Sequence, residues 1–183
     1  MNAEKQQESP LVIRTLSGSK DISAFWNLLE KGGLSHDREY YERCLERSEM
    51  QEMDVILAFL RDSPGGEETV GFCLMNWQPK YALFKKTGIP EIQDLNVLKT
   101  YRRRGFGRDI LVFCEGFARE KGHQDIGIGV GLDSRFGAAQ RLYARMSYIP
   151  DGSGVSYDRK QVACGEMRPI DENLCLMMTK PLF

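Results

Sequence analysis

The sequence predicts a single α/β domain built on a mixed β-sheet flanked by helices. Segments with strand periodicity alternate with segments of helical periodicity along the chain, in the order βααβββαβαββ. At 183 residues, 42% hydrophobic and 28% charged, the chain can bury one ordinary core and is short for two. It carries no internal repeat and no low-complexity tract, which sets aside solenoid and fibrous architectures.

Each element has its own local reason. Residues 1–10 are polar, so a disordered leader is expected ahead of one domain at 11–183, with neither a signal peptide nor an anchor. Leu11 to Leu16 is a first strand. Ser19 caps a helix in which Ile22, Phe25, Trp26 and Leu29 recur at helical spacing, and Gly32–Gly33 stops it. A more polar helix follows over about 37–52, with Tyr40, Tyr41, Cys44 and Leu45 inward. Val55–Leu60 and Thr69–Met75 are strands joined through the turn chemistry of Arg61–Gly66. An irregular connection from Asn76 to Ile89 leads to a strand over Glu91–Leu98. Gly107 to Lys121 is a helix with the buried stripe Ile110, Phe113, Cys114, Phe117 and Ala118, closed by Gly122. Ile126–Leu132 alternates with period two, and Gly127, Gly129 and Gly131 leave one of its faces bare. That face either admits a ligand or a close helix, or reflects tight packing alone. Ala139, Leu142, Tyr143 and Met146 mark a further helix, followed by Tyr148–Pro150. A glycine- and charge-rich stretch, Asp151 to Asp171, then leads to a last strand at Leu174–Met178.

Composition excludes several function classes. The longest apolar run, Val55–Leu60, is far short of the ~20 residues that span a bilayer, so a cytoplasmic protein without membrane contact is expected. A net charge of −1 leaves no general electrostatic surface for nucleic acid. Five cysteines without a CxxC pair make neither a zinc framework nor a disulfide scaffold; reduced, buried thiols are expected. With His36 and His123 as the only histidines, no metal site is expected.

The densest chemical signal lies at Lys99–Arg108. Five of the 25 basic residues (Lys99, Arg102, Arg103, Arg104 and Arg108) fall in these ten positions, at a strand-to-helix junction that also holds Gly105 and Gly107. Glycine lets backbone N–H groups approach an anion that the helix N-terminus also attracts, which suits a pyrophosphate. A solvated basic turn or a nucleic-acid patch has the same composition. The Walker pattern GxxxxGK[ST] and the third glycine of a dinucleotide fingerprint are both missing.

Arg102, Gly105 and Gly107 form R-x-x-G-x-G between a strand and a helix, and Ala139–Tyr148 is similar to A-x-x-L-Y-x-x-x-G-F. These motifs, their separation and the order of elements resemble the GCN5-related N-acetyltransferase (GNAT) superfamily over about Leu11–Phe183. Phe136 stands where many members have Asn, and Ser147 where Gly is usual. The resemblance implies acetyl-CoA as co-substrate. Its pyrophosphate would lie on Arg102, Arg103, Arg104, Gly105, Phe106, Gly107 and Arg108, and its pantetheine arm along the main chain of Leu95, Asn96 and Val97, between splayed strands. It further implies a general base at Glu91, fourteen residues before Gly105. A strand carboxylate paired with a nearby Lys or Arg is the other reading of Glu91. Asp94 faces away from Glu91 on a regular strand and returns only through a bulge. Tyr143 matches the family tyrosine that protonates the departing thiolate, as a phenol of pKa ~10 can at neutral pH. Trp77, Tyr81, Phe84 and Tyr157 lie in the two long connections, where they can stack an acceptor or pin the loops. The expected protein is an acetyl-CoA-dependent N-acetyltransferase, a monomer or homodimer, acting by direct transfer in a ternary complex on a small-molecule primary amine. The alternative is a non-catalytic acyl-CoA sensor of the same fold.

Overall fold

The computed structural model describes residues 11–32, 36–63 and 66–183; the polar leader 1–10, the stop at Gly33 and the turn at Pro64–Gly65 lie outside them. The elements run β1 (Leu11–Thr15), α1 (Gly18–Gly32), α2 (Arg38–Glu49), β2 (Met53–Ser63), β3 (Gly66–Asn76), α3 (Ala82–Thr87), β4 (Glu91–Val97), α4 (Phe106–Glu120), β5 (Asp125–Gly131), α5 (Gly137–Arg145), β6 (Ile149–Tyr157), β7 (Lys160–Gln161) and β8 (Leu174–Pro181). One sheet holds all the strands in the order β1-β2-β3-β4-β5-β8-β6-β7. Its pairs are antiparallel except β4–β5, which is parallel.

Four local expectations need correcting, the first being that Ser19 lies inside the first turn of α1, which begins at Gly18, rather than capping it. The connection 76–89 contains α3, six residues closed by Gly88 at φ +70°, too short to show a period in the sequence. The stretch 151–171 contributes most of β6 and all of β7. Gly152 and Gly154, at φ +85° and +79°, form a wide bulge after which β6 resumes pairing with β8 at Val155↔Leu176. The helix α2 ends at Glu49 rather than near residue 52, where Gln51 takes φ +60°.

β2 is apolar without alternation because both its faces are covered. Val55, Leu57 and Phe59 pack with Phe25, Leu28 and Leu29 of α1 and Tyr41 and Cys44 of α2. Ile56 and Ala58 face Ile110, Leu111, Cys114 and Ala118 of α4 on the other side. Ile126, Ile128 and Val130 of β5 join the α4 side. The bare glycine face opposite is filled by neighbours. A Cβ on Gly127 would lie 2.2 Å from the Phe84 ring, one on Gly131 2.4 Å from the Phe136 ring, and one on Gly129 3.1 Å from Met177 Sδ. Tight packing explains these glycines. Cys44, Cys73, Cys114 and Cys175 are buried as expected, whereas Cys164 is exposed. No helix among the described residues is long and apolar enough to cross a membrane.

Candidate active site

The site begins with a defect in β4. Leu74 opposes Gln93 and Phe72 opposes Asn96, so Asp94 and Leu95 share the place opposite Cys73. Asp94 absorbs the extra residue at φ +50°. Past this point β4 no longer pairs with β5: the parallel ladder consists of Glu91↔Gly127 and Ile92↔Ile128. The two strands splay, and two cavities open into the gap.

The first cavity, about 560 Å³, runs from Leu95, Asn96 and Val97 to Arg102, Arg103, Gly105, Phe106, Gly107 and Arg108, with α5 as its far wall. All the expected donor-binding residues line it except Arg104, whose guanidinium sits 5.1 Å from the centre of the Tyr101 ring. Arg103 at φ +66° and Gly105 at φ +88° make the turn into α4. A Cβ on Gly105 meets nothing within 4 Å, so the left-handed backbone, not crowding, calls for glycine there. Gly105 carbonyl accepts from the N–H groups of Arg108 and Asp109 at 2.9 and 3.1 Å, closing the first turn. The N–H groups at a helix start have no intrahelical partner and face an incoming anion. Arg102 Nε donates to Val97 carbonyl at 2.9 Å and ties the loop to β4. Sequence reasoning missed Arg135, Arg141 and Arg145, which bring the arginines around this cavity to six. Arg141 and Arg145 stand one helical turn apart on α5, a spacing visible in the sequence once the helix is given a role. The turn, the arginines and the open strand edge suit the diphosphate and extended arm of acetyl-CoA.

The second cavity, about 620 Å³, lies on the α2 side of the sheet and shares Leu95, Asn96, Arg135, Phe136, Ala139 and Tyr143 with the first. Tyr143 is 5% exposed, and burial, with a smaller push from Cys73, raises its phenol above the ordinary value. It stays protonated across the physiological range. The departures from the family pattern are local: the Phe136 ring covers Gly131, and Ser147 adopts φ +67°, where glycine is the unstrained residue.

The structure separates the two carboxylates. Glu91 is fully buried, lies outside the lining of both cavities, and has two partners. Arg159 Nε is 2.8 Å from its Oε1, and Gln93 Nε2 donates to its Oε2 at 2.9 Å. Burial pushes the Glu91 carboxyl up, and Arg159 and Gln93 offset only part of that. Asp94, returned to this side of the sheet by the bulge, lines the second cavity. Its Oδ1 is 3.4 Å from His36 Nε2. Arg159, His36 and Tyr40 line the same cavity and were not singled out from sequence. Arg159 sits with Asp158 in the two-residue turn between β6 and β7, both at positive φ, where Asn-Gly is the usual choice. An arginine in that position is the signal that was available.

The aromatics of the connections pin the loops. Trp77 Nε1 donates to Asp54, Tyr81 hydroxyl to Asp151 and Tyr157 hydroxyl to Asp171, at 2.7, 2.7 and 2.8 Å. Phe84 packs on Gly127.

A family model, the acetyltransferase (GNAT) family, matches residues 23–148. No curated protein matches the chain in sequence. Among solved structures, a protein from Desulfovibrio desulfuricans assigned to the GNAT family superposes with a TM-score of 0.67 at 12% identity, covering 94% of this chain and 99% of its own. A GNAT family acetyltransferase from Elizabethkingia anophelis with acetyl-CoA bound gives 0.63 at 18% identity over 96% and 100%. The ribosomal-protein-S18-alanine N-acetyltransferase of Escherichia coli gives 0.63 at 13% identity over 94% of each chain. At these identities the structures show a shared fold, and the family match over more than two thirds of the sequence shows the kinship. The chain belongs to the GNAT acetyltransferase family.

Proposed function

We propose that the protein transfers the acetyl group of acetyl-CoA directly to a primary amine on a small molecule, in a ternary complex. The observation that carries this reading is the meeting of two cavities at Tyr143, one rimmed by arginines and one lined by a carboxylate. The donor supplies an activated thioester. The 102–108 loop, with Arg141 and Arg145, holds its phosphates, and the main chain of Leu95, Asn96 and Val97 holds its arm as an added strand would. Alkyl amines are protonated at neutral pH, so attack needs a base. Glu91 was the first candidate, but Asp94 reaches the acceptor cavity, and we assign it the proton of the acceptor ammonium. Glu91 and Arg159 then brace the floor of the site. Tyr143 returns a proton to the departing sulfur. A cavity of about 620 Å³ suits a small molecule. Buried thiols that form no disulfide suit a reducing compartment such as the cytoplasm.

The test is release of free CoA thiol on mixing acetyl-CoA with polyamines, amino acids, aminoglycosides, and peptides with free lysine or N-terminal amines. Asp94→Asn should lower turnover by about 10²–10⁴-fold with acetyl-CoA affinity unchanged. Glu91→Gln should instead lose about 3 kcal/mol of stability, near the low end for a broken buried pair, because Arg159 keeps a quarter of its side chain in water. The converse result, a stable but inactive Glu91→Gln beside an active Asp94→Asn, returns the base to Glu91. Tight acetyl-CoA binding with no turnover on any amine identifies an acyl-CoA sensor.

A further inference from the structure

We infer that His36 is the proton outlet of the acceptor cavity, taking from Asp94 the proton that Asp94 removes from the acceptor and passing it to solvent. The inference rests on the proposed transferase reading and adds a residue to it. A base at the bottom of a cavity must lose its proton before the next turnover. Asp94 Oδ1 lies 3.4 Å from His36 Nε2, while its other close partner, the Tyr40 hydroxyl, is kept protonated by burial and is no proton acceptor. The side chains grade outward, Asp94 16% exposed and His36 39% exposed, so the pair spans from the cavity to water. The imidazole is held in place by the Tyr40 ring, with centroids 4.2 Å apart, and by Tyr41 at 6.1 Å.

The step balances as a relay. The ammonium gives a proton to the Asp94 carboxylate and becomes the nucleophilic amine. The carboxylic acid gives that proton to the free Nε2 lone pair of neutral His36, and the imidazolium releases the proton on Nδ1 to water. A turnover leaves Asp94 ionised and His36 neutral, in the other tautomer, which exchange with water resets. The relay is blocked when His36 is already imidazolium. The groups facing the ring are Asp94 on β4, Asp37, Tyr40 and Tyr41 at α2, and Glu172 ahead of β8. Asp94, followed by the charges of Glu172 and Asp37, raises its pKa above the ordinary 6.5, against the opposing effect of burial. Turnover should therefore climb as pH rises through a midpoint above 6.5.

The experiment uses the whole chain, acetyl-CoA, and whichever amine of the panel the wild type acetylates fastest. His36→Gln should lower kcat about 100-fold, within the range of a lost general acid–base group, and leave the KM for acetyl-CoA unchanged. It should erase the acid limb of the pH profile, and added imidazole should restore part of the rate. A His36→Gln enzyme with the wild-type rate and profile, or a loss that imidazole does not repair, overturns the inference and leaves the transferase reading standing. A second readout needs no acceptor. In a His123→Gln background the single remaining imidazole is followed by NMR, and Asp94→Asn should lower its pKa. An unchanged titration also overturns the inference. A wild type that acetylates no amine overturns the transferase reading and the outlet with it.

Discussion

Tyr143 sits where the two cavities meet, its ring in the core beside Tyr148 and its environment keeping the phenol protonated. A proton donor of that kind matters most when the leaving thiol is a poor acid. Tyr143→Phe should lower turnover with acetyl-CoA by about 100-fold. The deficit should shrink for acetyl esters of acidic aromatic thiols, and acetyl-CoA affinity should hold. A deficit of the same size for every donor would give Tyr143 a packing role only. Arg159 illustrates a different residue-scale compromise. It is held at φ +62°, a conformation disfavoured for a side-chain-bearing residue, while its guanidinium reaches Glu91 and passes 3.8 Å from the Cβ position of Gly129. The ion pair and the missing side chain at Gly129 both support that placement.

β5 is the element whose sequence is most constrained by its neighbours. Its alternate glycines are not equivalent, because different atoms occupy the space each leaves. At Gly127 an added methyl group meets the rigid Phe84 ring at 2.2–2.8 Å, and at Gly129 it meets the flexible thioether of Met177 at 3.1 Å. Gly127→Ala should therefore cost about 1–3 kcal/mol of stability, as overpacking does, and Gly129→Ala clearly less. Denaturant midpoints measure both, and equal losses would show that Phe84 yields as easily as Met177. On β4, the bulge at Asp94 ends the pairing with β5 and restores Asp94 to the face of Glu91 and Gln93. One extra residue thus makes both the gap between the strands and the polar lining of the second cavity.

At the scale of the molecule, a net charge of −1 coexists with six arginines around one cavity. Charge so concentrated acts locally: it attracts a compact polyanion and gives little hold on an extended one. Acetyl-CoA at 100 times its Kd should stabilise the fold by about 2.7 kcal/mol, seen as a rise in the thermal midpoint that weakens with added salt. Duplex DNA at physiological salt should give no such rise. Stabilisation by DNA with a steep salt slope, and none by acetyl-CoA, would make the arginine rim a nucleic-acid surface.

Local chemistry was enough for much of this protein. The periodic helix α1, the uniformly apolar β2, the striped α4 and the glycine at the head of α4 follow from periodicity and backbone preference, interactions between residues a few positions apart. So the stretch of the first cavity's lining along 102–108 was legible apart from Arg104, whereas Arg135, Arg141 and Arg145 were not. The second cavity was not, because its groups come from the start of α2, the β4 bulge, the β6–β7 turn and the segment before β8, and no spacing in the chain relates them. Sequence alone was sufficient for the long helices and strands, though not for the short α3 and β7, and it pointed to the 102–108 turn as a place suited to an anion. It took the tertiary structure to put Asp94, and not Glu91, in the lining of the second cavity, because a one-residue bulge reverses the side a strand residue faces and Glu91 is buried beside Arg159.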